Sequence, residues 1–326
     1  MSNTTKMARL AAPGAMNDRT LTRLTRILIA VIAVGLPTIG VIYYLDRHVD
    51  AGPSIAGRAV IAAEEAVRQN PNQLSIRVGL AQAYTADNRP ADAIAQYTIV
   101  LGAEPTNATA LLGRGDLYRA AGQLDVAAAD YQALIAVAKD GEMASVDRSL
   151  ESAYFGMGAI LFAQGNPRDA ATQLANALRI DGTDADALDL IGQSLIAIGD
   201  YPSAVEALRD AVAFVPTGWT DPYTHLAQAY DGLADAGGVA YANGMVAMCE
   251  GRLGDAQEAL LPLVGGAHSR DALIGLGLVA EQRGDPAAAA DFYLRVLAVV
   301  PDDFAAQSGL GRVGLPATAA PTGSNP

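Results

Sequence analysis

From residue 74 to residue 301 the chain alternates apolar blocks with short polar corners. Before the corners stand "GLAQAYTADN", "GRGDLYRAAG", "GMGAILFAQG" and "IGQSLIAIGD"; after them come "AIAQYTIVLGAEP", "AAADYQALIAVAKD", "AATQLANALRIDG", "AVEALRDAVAFVP" and "AAADFYLRVLAVVP". Large apolar residues in these blocks fall three or four apart with small residues between them, the period of a helix that buries one face. The corners are variants of one six-residue string: "NRPADA" from Asn88, "GQLDVA" from Gly122, "GNPRDA" from Gly165, "GDYPSA" from Gly199, "GDAQEA" from Gly254 and "GDPAAA" from Gly284. The pattern predicts an all-α chain of paired helices.

The chemistry of the corner supports this reading. Gly ends one helix by adopting left-handed backbone without a Cβ penalty, and Asp, Asn or Pro opens the next. The Ala five residues after the Gly lets the second helix approach the first. An aromatic residue or Leu follows four residues later, and Pro often closes the unit twelve after the Ala. The corners are spaced 34, 43, 34, 55 and 30 residues apart. An interval of 34 is the period of a helix-turn-helix solenoid unit, and the longer intervals point to insertions.

On these residues the chain resembles the tetratricopeptide repeat (TPR) family. Residues 74–107 match with Leu80, Ala81, Tyr84, Ala93, Tyr97 and Pro105, and residues 108–141 with Gly115, Tyr118, Gly122, Ala127 and Tyr131. Residues 151–184 match with Gly158, Gly165, Ala170 and Leu174, and residues 185–218 with Gly192, Gly199, Ala204, Leu208 and Pro216. Residues 270–303 match with Leu276, Gly277, Gly284, Ala289, Tyr293 and Pro301. Three stretches depart from the pattern. Residues 139–149 lengthen a connection, residues 240–269 form a poor repeat with a short second helix, and "DPYTHLAQAYDGLADAGG" reads as an extra first helix without a clear partner. The flanking "SIAGRAVIAAEEAVRQNP" and "DDFAAQSGLGRVGL" read as capping helices, so the array runs over residues 53–314 and residues 315–326 have the composition of a disordered tail.

The resemblance implies a right-handed superhelix of about six repeats whose first helices line a concave surface. By repeat alignment that surface carries Gln82, Asp116, Arg119, Phe155, Ala159, Phe162, Asp189, Gln193 and Ile196. Phe155 and Phe162, seven residues apart, share one helix face; they either floor the groove or pack between helices. The Lys and Asn of the family's clamp for chaperone C-terminal carboxylates are missing here. The expected ligand is a protein segment, an amphipathic helix or an extended apolar stretch, with basic flanks.

Residues 27–45, "ILIAVIAVGLPTIGVIYYL", add a second feature, a run without a charge from Ile27 to Leu45. Nineteen residues at helical rise span about 28 Å, close to the hydrocarbon core of a bilayer. Tyr43 and Tyr44 stand at its end, where an interfacial aromatic belt belongs. A cleaved signal peptide is the rival reading, but "YYLDRHVD" offers no small-residue cleavage site. Lys6, Arg9, Arg19, Arg23 and Arg26 precede the span, and only Arg47 and Arg58 follow within a comparable distance. The positive-inside rule therefore puts a basic tail, residues 1–26, in the cytoplasm and the array outside it. The linker, residues 46–52, reaches about 25 Å when extended, which holds the array near the inner membrane. The layout is similar to bacterial inner-membrane TPR proteins that assist the translocon or cytochrome maturation. It implies a membrane-anchored scaffold or assembly factor; the alternative is a permanent structural subunit of a larger membrane complex.

Charge narrows the partners. The formal charge is -13, and because residues 1–50 carry +3, the remainder carries -16. Such a body repels nucleic acid and anionic membrane surfaces. Candidate chemistry is sparse. Cys249, the one cysteine, rules out an internal disulfide and reads as a small buried hydrophobe. "GLGRVG" from Gly309 has dinucleotide-binding spacing but follows a helix instead of a strand. "DGTDADALD" reads as a capped helix start, and "RGD" from Arg114 falls inside a helix. His48, His225 and His268 show no metal-ligand spacing. No catalytic role, cofactor or metal is expected.

Overall fold

The computed structural model describes residues 54–314 and, of the chain before them, only Ile32, Gly35, Thr38 and Ile39, all four helical. The rest of the candidate membrane span, the basic tail, the linker and residues 315–326 lie outside the described residues. Among the described residues no helix is long and apolar enough to cross a membrane. The chain divides after residue 59 into two compact units, and the repeats belong to the second.

Among the described residues there are fifteen α-helices, two short 3-10 turns and no strand. α1 (Ile55–Gln69) leads into the pairs α2 (Leu74–Ala86) with α3 (Pro90–Ala103) and α4 (Ala108–Ala120) with α5 (Leu124–Ala138). Next come α6 (Arg148–Ala163) with α7 (Pro167–Leu178) and α8 (Ala185–Ile198) with α9 (Tyr201–Phe214). Then follow α10 (Asp221–Gly232), α11 (Ala236–Cys249), α12 (Leu253–Leu260), the pair α13 (Ser269–Gln282) with α14 (Pro286–Leu297), and α15 (Phe304–Arg312). The residues that stretch the 43-residue interval form a 3-10 turn, Ala144–Val146, ahead of α6.

The corners are built by residues in the left-handed region: Asn88, Gly122, Gly165, Gly199, Ala234, Gly251 and Gly284. Five residues after six of them stand Ala93, Ala127, Ala170, Ala204, Ala256 and Ala289, every one at 0% exposure. At these six crossings the small side chain is fully enclosed between the two helices of the pair. Two corners differ from the sequence reading. The turn assigned to Gly254 is made by Gly251, because Gly254 already lies in the first turn of α12 without a positive φ. Ala234 makes an additional corner that the Gly-first string cannot reveal.

Those two corners lie half a period apart, so the array contains an odd helix. α11 packs antiparallel on α10 as a second helix, packs on α12 as a first helix, and touches α13 as successive first helices do. This gives the extra helix of residues 221–232 its partner. Along the array, first helices approach one another (α2 to α4, α4 to α6, α6 to α8, α8 to α10, α11 to α13, α13 to α15), whereas successive second helices make no comparable approach. The first helices therefore form the inner side of the curve.

Glycine pairs set the closeness of that inner layer. Tyr131 of α5 is fully buried with one ring edge against Gly115 of α4 and the other against Gly156 of α6. A Cβ at either glycine would stand 2.9 Å and 2.6 Å from the ring, respectively. Tyr293 repeats the arrangement between Gly277 and Gly309, which explains a glycine of the "GLGRVG" string as a packing requirement inside α15.

Candidate functional site

The polar residues of the inner layer are largely occupied in bracing it. Tyr131 Oη donates to Asp116 Oδ1 at 2.6 Å and accepts from Arg119 Nε at 3.2 Å, so two of the groove candidates fix the ring that joins two repeats. Burial, followed by Asp116, pushes the Tyr131 hydroxyl far above its ordinary value. Arg114, one turn away, donates through Nε and Nη2 to both oxygens of Asp130 at 2.9 and 2.7 Å. The arginine and aspartate of the "RGD" string are thus bound to two neighbouring side chains of α5.

Asp189 is buried and accepts from Gln193 Nε2 at 2.9 Å, with His225 Nδ1 at 2.7 Å. It ties α8 to α10 while Gln193 remains partly exposed. Ile196 packs against the core cluster of the C-terminal repeats. Gln82 is exposed and Ala159 half-buried. Phe155 and Phe162 are half-buried and belong to neither of the two main apolar clusters. Of the nine candidates, these two rings are the half-buried large apolar groups that pack against neither cluster, whereas half-buried Ile196 does.

Two charged features border α6. Asp184 caps α8 by accepting from the amides of Asp186 and Ala187 at 3.0 and 3.1 Å. Glu151, in the first turn of α6, faces it; burial and then the hydrogen bond with Asp184 push Glu151 up to about 7. His225 and His268 pack between helices, and His268 Nε2 lies 2.8 Å from Asp235 Oδ2 with its ring edge-on to Tyr230, whereas His48 lies outside the described residues. Cys249 is half-buried, not fully enclosed, and burial pushes its thiol up, away from the reactive thiolate.

A cavity of about 270 Å³ opens among the C-terminal repeats, where the sequence reading placed no site. Its apolar wall includes Val212, Phe214, Ile274, Leu278 and Phe304, and its polar groups include Arg209, Arg270, Asp271 and Tyr241. These residues come from α9, α11, α13 and α15 and share no local motif. The departure from regular repeats over residues 219–269 was the one signal that this region is built differently.

Helix hairpins stacked in one direction, with first helices inside and partly covered side chains on that face, define an α-solenoid. Arrays of this class offer an extended inner surface to a partner and are typically interaction scaffolds instead of catalysts. The model of the tetratricopeptide repeat family matches residues 78–142, 155–218 and 241–306, more than half of the chain, and the chain belongs to that family. The third match begins within α11 and so counts that helix as a first helix. No curated protein matches the sequence. Among solved structures, YrrB, described as a TPR protein with an unusual peptide-binding site, is 17% identical. It aligns over 62% of this chain and 98% of its own at a TM-score of 0.51. MamA is 21% identical over 56% of this chain and 93% of its own, with a TM-score of 0.48. A tetratricopeptide repeat protein from Parabacteroides merdae is 14% identical over 83% of this chain and 94% of its own, with a TM-score of 0.46. At these identities the likeness bears on the fold alone.

Proposed function

We propose that this protein is a membrane-anchored TPR scaffold or assembly factor that binds segments of other proteins along its inner face. Residues 27–45 are the anchor, the N-terminus is cytoplasmic, and the array works outside the cytoplasm close to the bilayer. One observation carries the binding role: on an inner layer whose polar groups are mostly spent on bracing it, Phe155 and Phe162 stay half-exposed and outside the main core clusters. Exposed aromatic rings on a rigid surface are the residue type that anchors partners. YrrB, the structural neighbour with a described peptide-binding site, fits the same reading. The anchor rests on the uncharged run and on the basic residues before it.

Crosslinking mass spectrometry on native membranes tests the role. In the wild type a defined partner should crosslink near residues 82–196, and the crosslinks should disappear in a folded Phe155→Ser, Phe162→Ser double variant. Crosslinks that survive the substitutions and cluster on second helices would sink the groove reading in favour of a permanent structural subunit. Protease added outside spheroplasts should digest the array; protection there would reverse the proposed orientation.

A further inference from the structure

We propose that the cavity of the C-terminal repeats is a second docking site, one that takes a large apolar side chain flanked by carboxylates from a partner protein. The proposal rests on the scaffold reading. It departs from that reading in the sign of the ligand's charge, which the overall acidity of the chain would make basic.

The charge at the cavity is oriented. Arg209 Nη2 and Arg270 Nη1 both donate to Asp271 Oδ1, at 2.9 and 2.7 Å, and Arg270 Nε donates to Asp303 Oδ2 at 2.6 Å. The two carboxylates are buried, with side-chain exposures of 8% and 2%, while the two arginine side chains are exposed by 42% and 44%. The carboxylates thus lie inside the protein and the arginine side chains at its partly exposed edge. Arg209 keeps Nε and Nη1, and Arg270 keeps Nη2, without hydrogen bonds among the described residues. Charge-assisted donors of this kind favour a carboxylate.

The cavity also holds an unused donor. Tyr241 is 6% exposed and lines the cavity, yet its hydroxyl makes no hydrogen bond among the described residues. The neighbouring Tyr223 hydroxyl, by contrast, donates to the Pro216 carbonyl at 3.0 Å. No side-chain polar atom among the described residues is both buried and unpartnered, so this hydroxyl opens to the cavity, where a ligand carboxylate can replace water as its acceptor. The mouth supplies the apolar half: Phe304 is 69% exposed and Phe214 45% exposed, both lining the cavity. At about 270 Å³ the space falls just below the ~300 Å³ where ligand pockets begin, so it suits one or two side chains better than a whole small ligand.

The test uses the purified full chain and three fluorescein-labelled peptides in fluorescence anisotropy. The first reads Gly-Glu-Asp-Leu-Phe-Glu-Asp-Gly, the second carries Lys at every acidic position, and the third has Ala in place of Leu-Phe. Saturable binding of the first, at least about tenfold tighter than either of the others, is expected. Phe304→Ser should weaken it by about tenfold and Tyr241→Phe by a smaller, measurable factor. Tyr241→Phe removes a hydroxyl that bonds nothing in the free protein, so its melting temperature should stay at the parent's value, and it keeps the test valid if Phe304→Ser misfolds. The Phe155→Ser, Phe162→Ser variant should bind the acidic peptide like the parent. Equal binding of acidic and lysine peptides, no saturation up to about 1 mM, or indifference to both cavity substitutions would overturn the proposal. Loss of peptide binding alongside persistent crosslinks to residues 82–196 would remove this site and leave the scaffold role standing.

Discussion

Glycine to alanine substitutions should act with opposite signs at two positions of this array. At Gly156 an added Cβ would stand 2.6 Å from Cε2 and Cζ of Tyr131 and 3.0 Å from its hydroxyl. Carbon atoms pack at about 3.5–4.0 Å, so roughly 1 Å of overlap must be absorbed. The ring has nowhere to go. It is fully buried, its other edge meets Gly115, and its hydroxyl is held by Asp116 and Arg119. Overpacking of this kind costs about 1–3 kcal/mol, and the gain in helix propensity returns about 1 kcal/mol, leaving Gly156→Ala destabilised by up to ~2 kcal/mol. Gly79 lies inside α2, is exposed, has no positive φ, and its added Cβ would meet nothing within 4 Å. There only propensity acts, and Gly79→Ala should stabilise by about 0.5–1 kcal/mol. Because repeat arrays unfold through local units, hydrogen exchange followed by mass spectrometry is the suitable assay. Exchange should accelerate in peptides from α4 to α6 for Gly156→Ala and slow in α2 for Gly79→Ala. A Gly156→Ala protein protected as well as the parent would refute the claim that Tyr131 is clamped between two repeats.

Further outcomes follow from the charged contacts. Arg114→Leu leaves Asp130 buried without its bidentate partner and should cost about 3 kcal/mol, read as a lower urea midpoint; replacing both residues by Leu should recover much of it, and no loss in the single variant would show the pair to be idle. Glu151, raised to about 7 mainly by burial, favours the folded state when protonated; that contribution is complete below the ordinary value of 4.5 and is lost as pH rises through about 7. Glu151→Gln should therefore flatten the fall in melting temperature between pH 5 and pH 8, by an amount of order 1 kcal/mol once solvent screening is allowed for; an unchanged pH profile would contradict the shift. Asp303 and Asp285 both cap helices, by accepting from the amides of Ala306 at 2.9 Å and Ala288 at 3.0 Å, but only Asp303 is buried and paired with Arg270. Asp285→Ala should cost about 1 kcal/mol and Asp303→Ala clearly more, measured as faster amide exchange in α14 and α15; equal losses would mean that the Arg270 contact adds nothing.

The helix pairs were legible because their corner chemistry is local. A left-handed Gly, a capping or first-turn residue and a small Ala lie within six positions, so Gly122, Gly165, Gly199 and Gly284 announce their turns. The odd helix α11 was not legible for the same reason. Its first corner uses Ala234, a residue type that rarely adopts positive φ, and its second, at Gly251, is followed by another Gly that shifts the apparent start by three residues. Positions on the inner layer could be assigned by repeat alignment, but the engagement of their side chains could not. Asp116 and Asp189 look like free groove carboxylates in the sequence, yet they bond Tyr131 and His225, residues 15 and 36 positions away. The C-terminal cavity is assembled from five helices, and nothing in the local sequence of any one of them records its Tyr241 hydroxyl or its partly exposed arginines.

The central claim, that first helices carry the binding face, is tested most directly by hydrogen exchange of the full chain with and without the partner that crosslinking identifies. The account predicts new protection in α6 and α8, around Phe155, Phe162 and Gln193, with the second helices α5 and α7 unchanged. Protection confined to α5 and α7, with α6 and α8 exchanging as in the free protein, would contradict it.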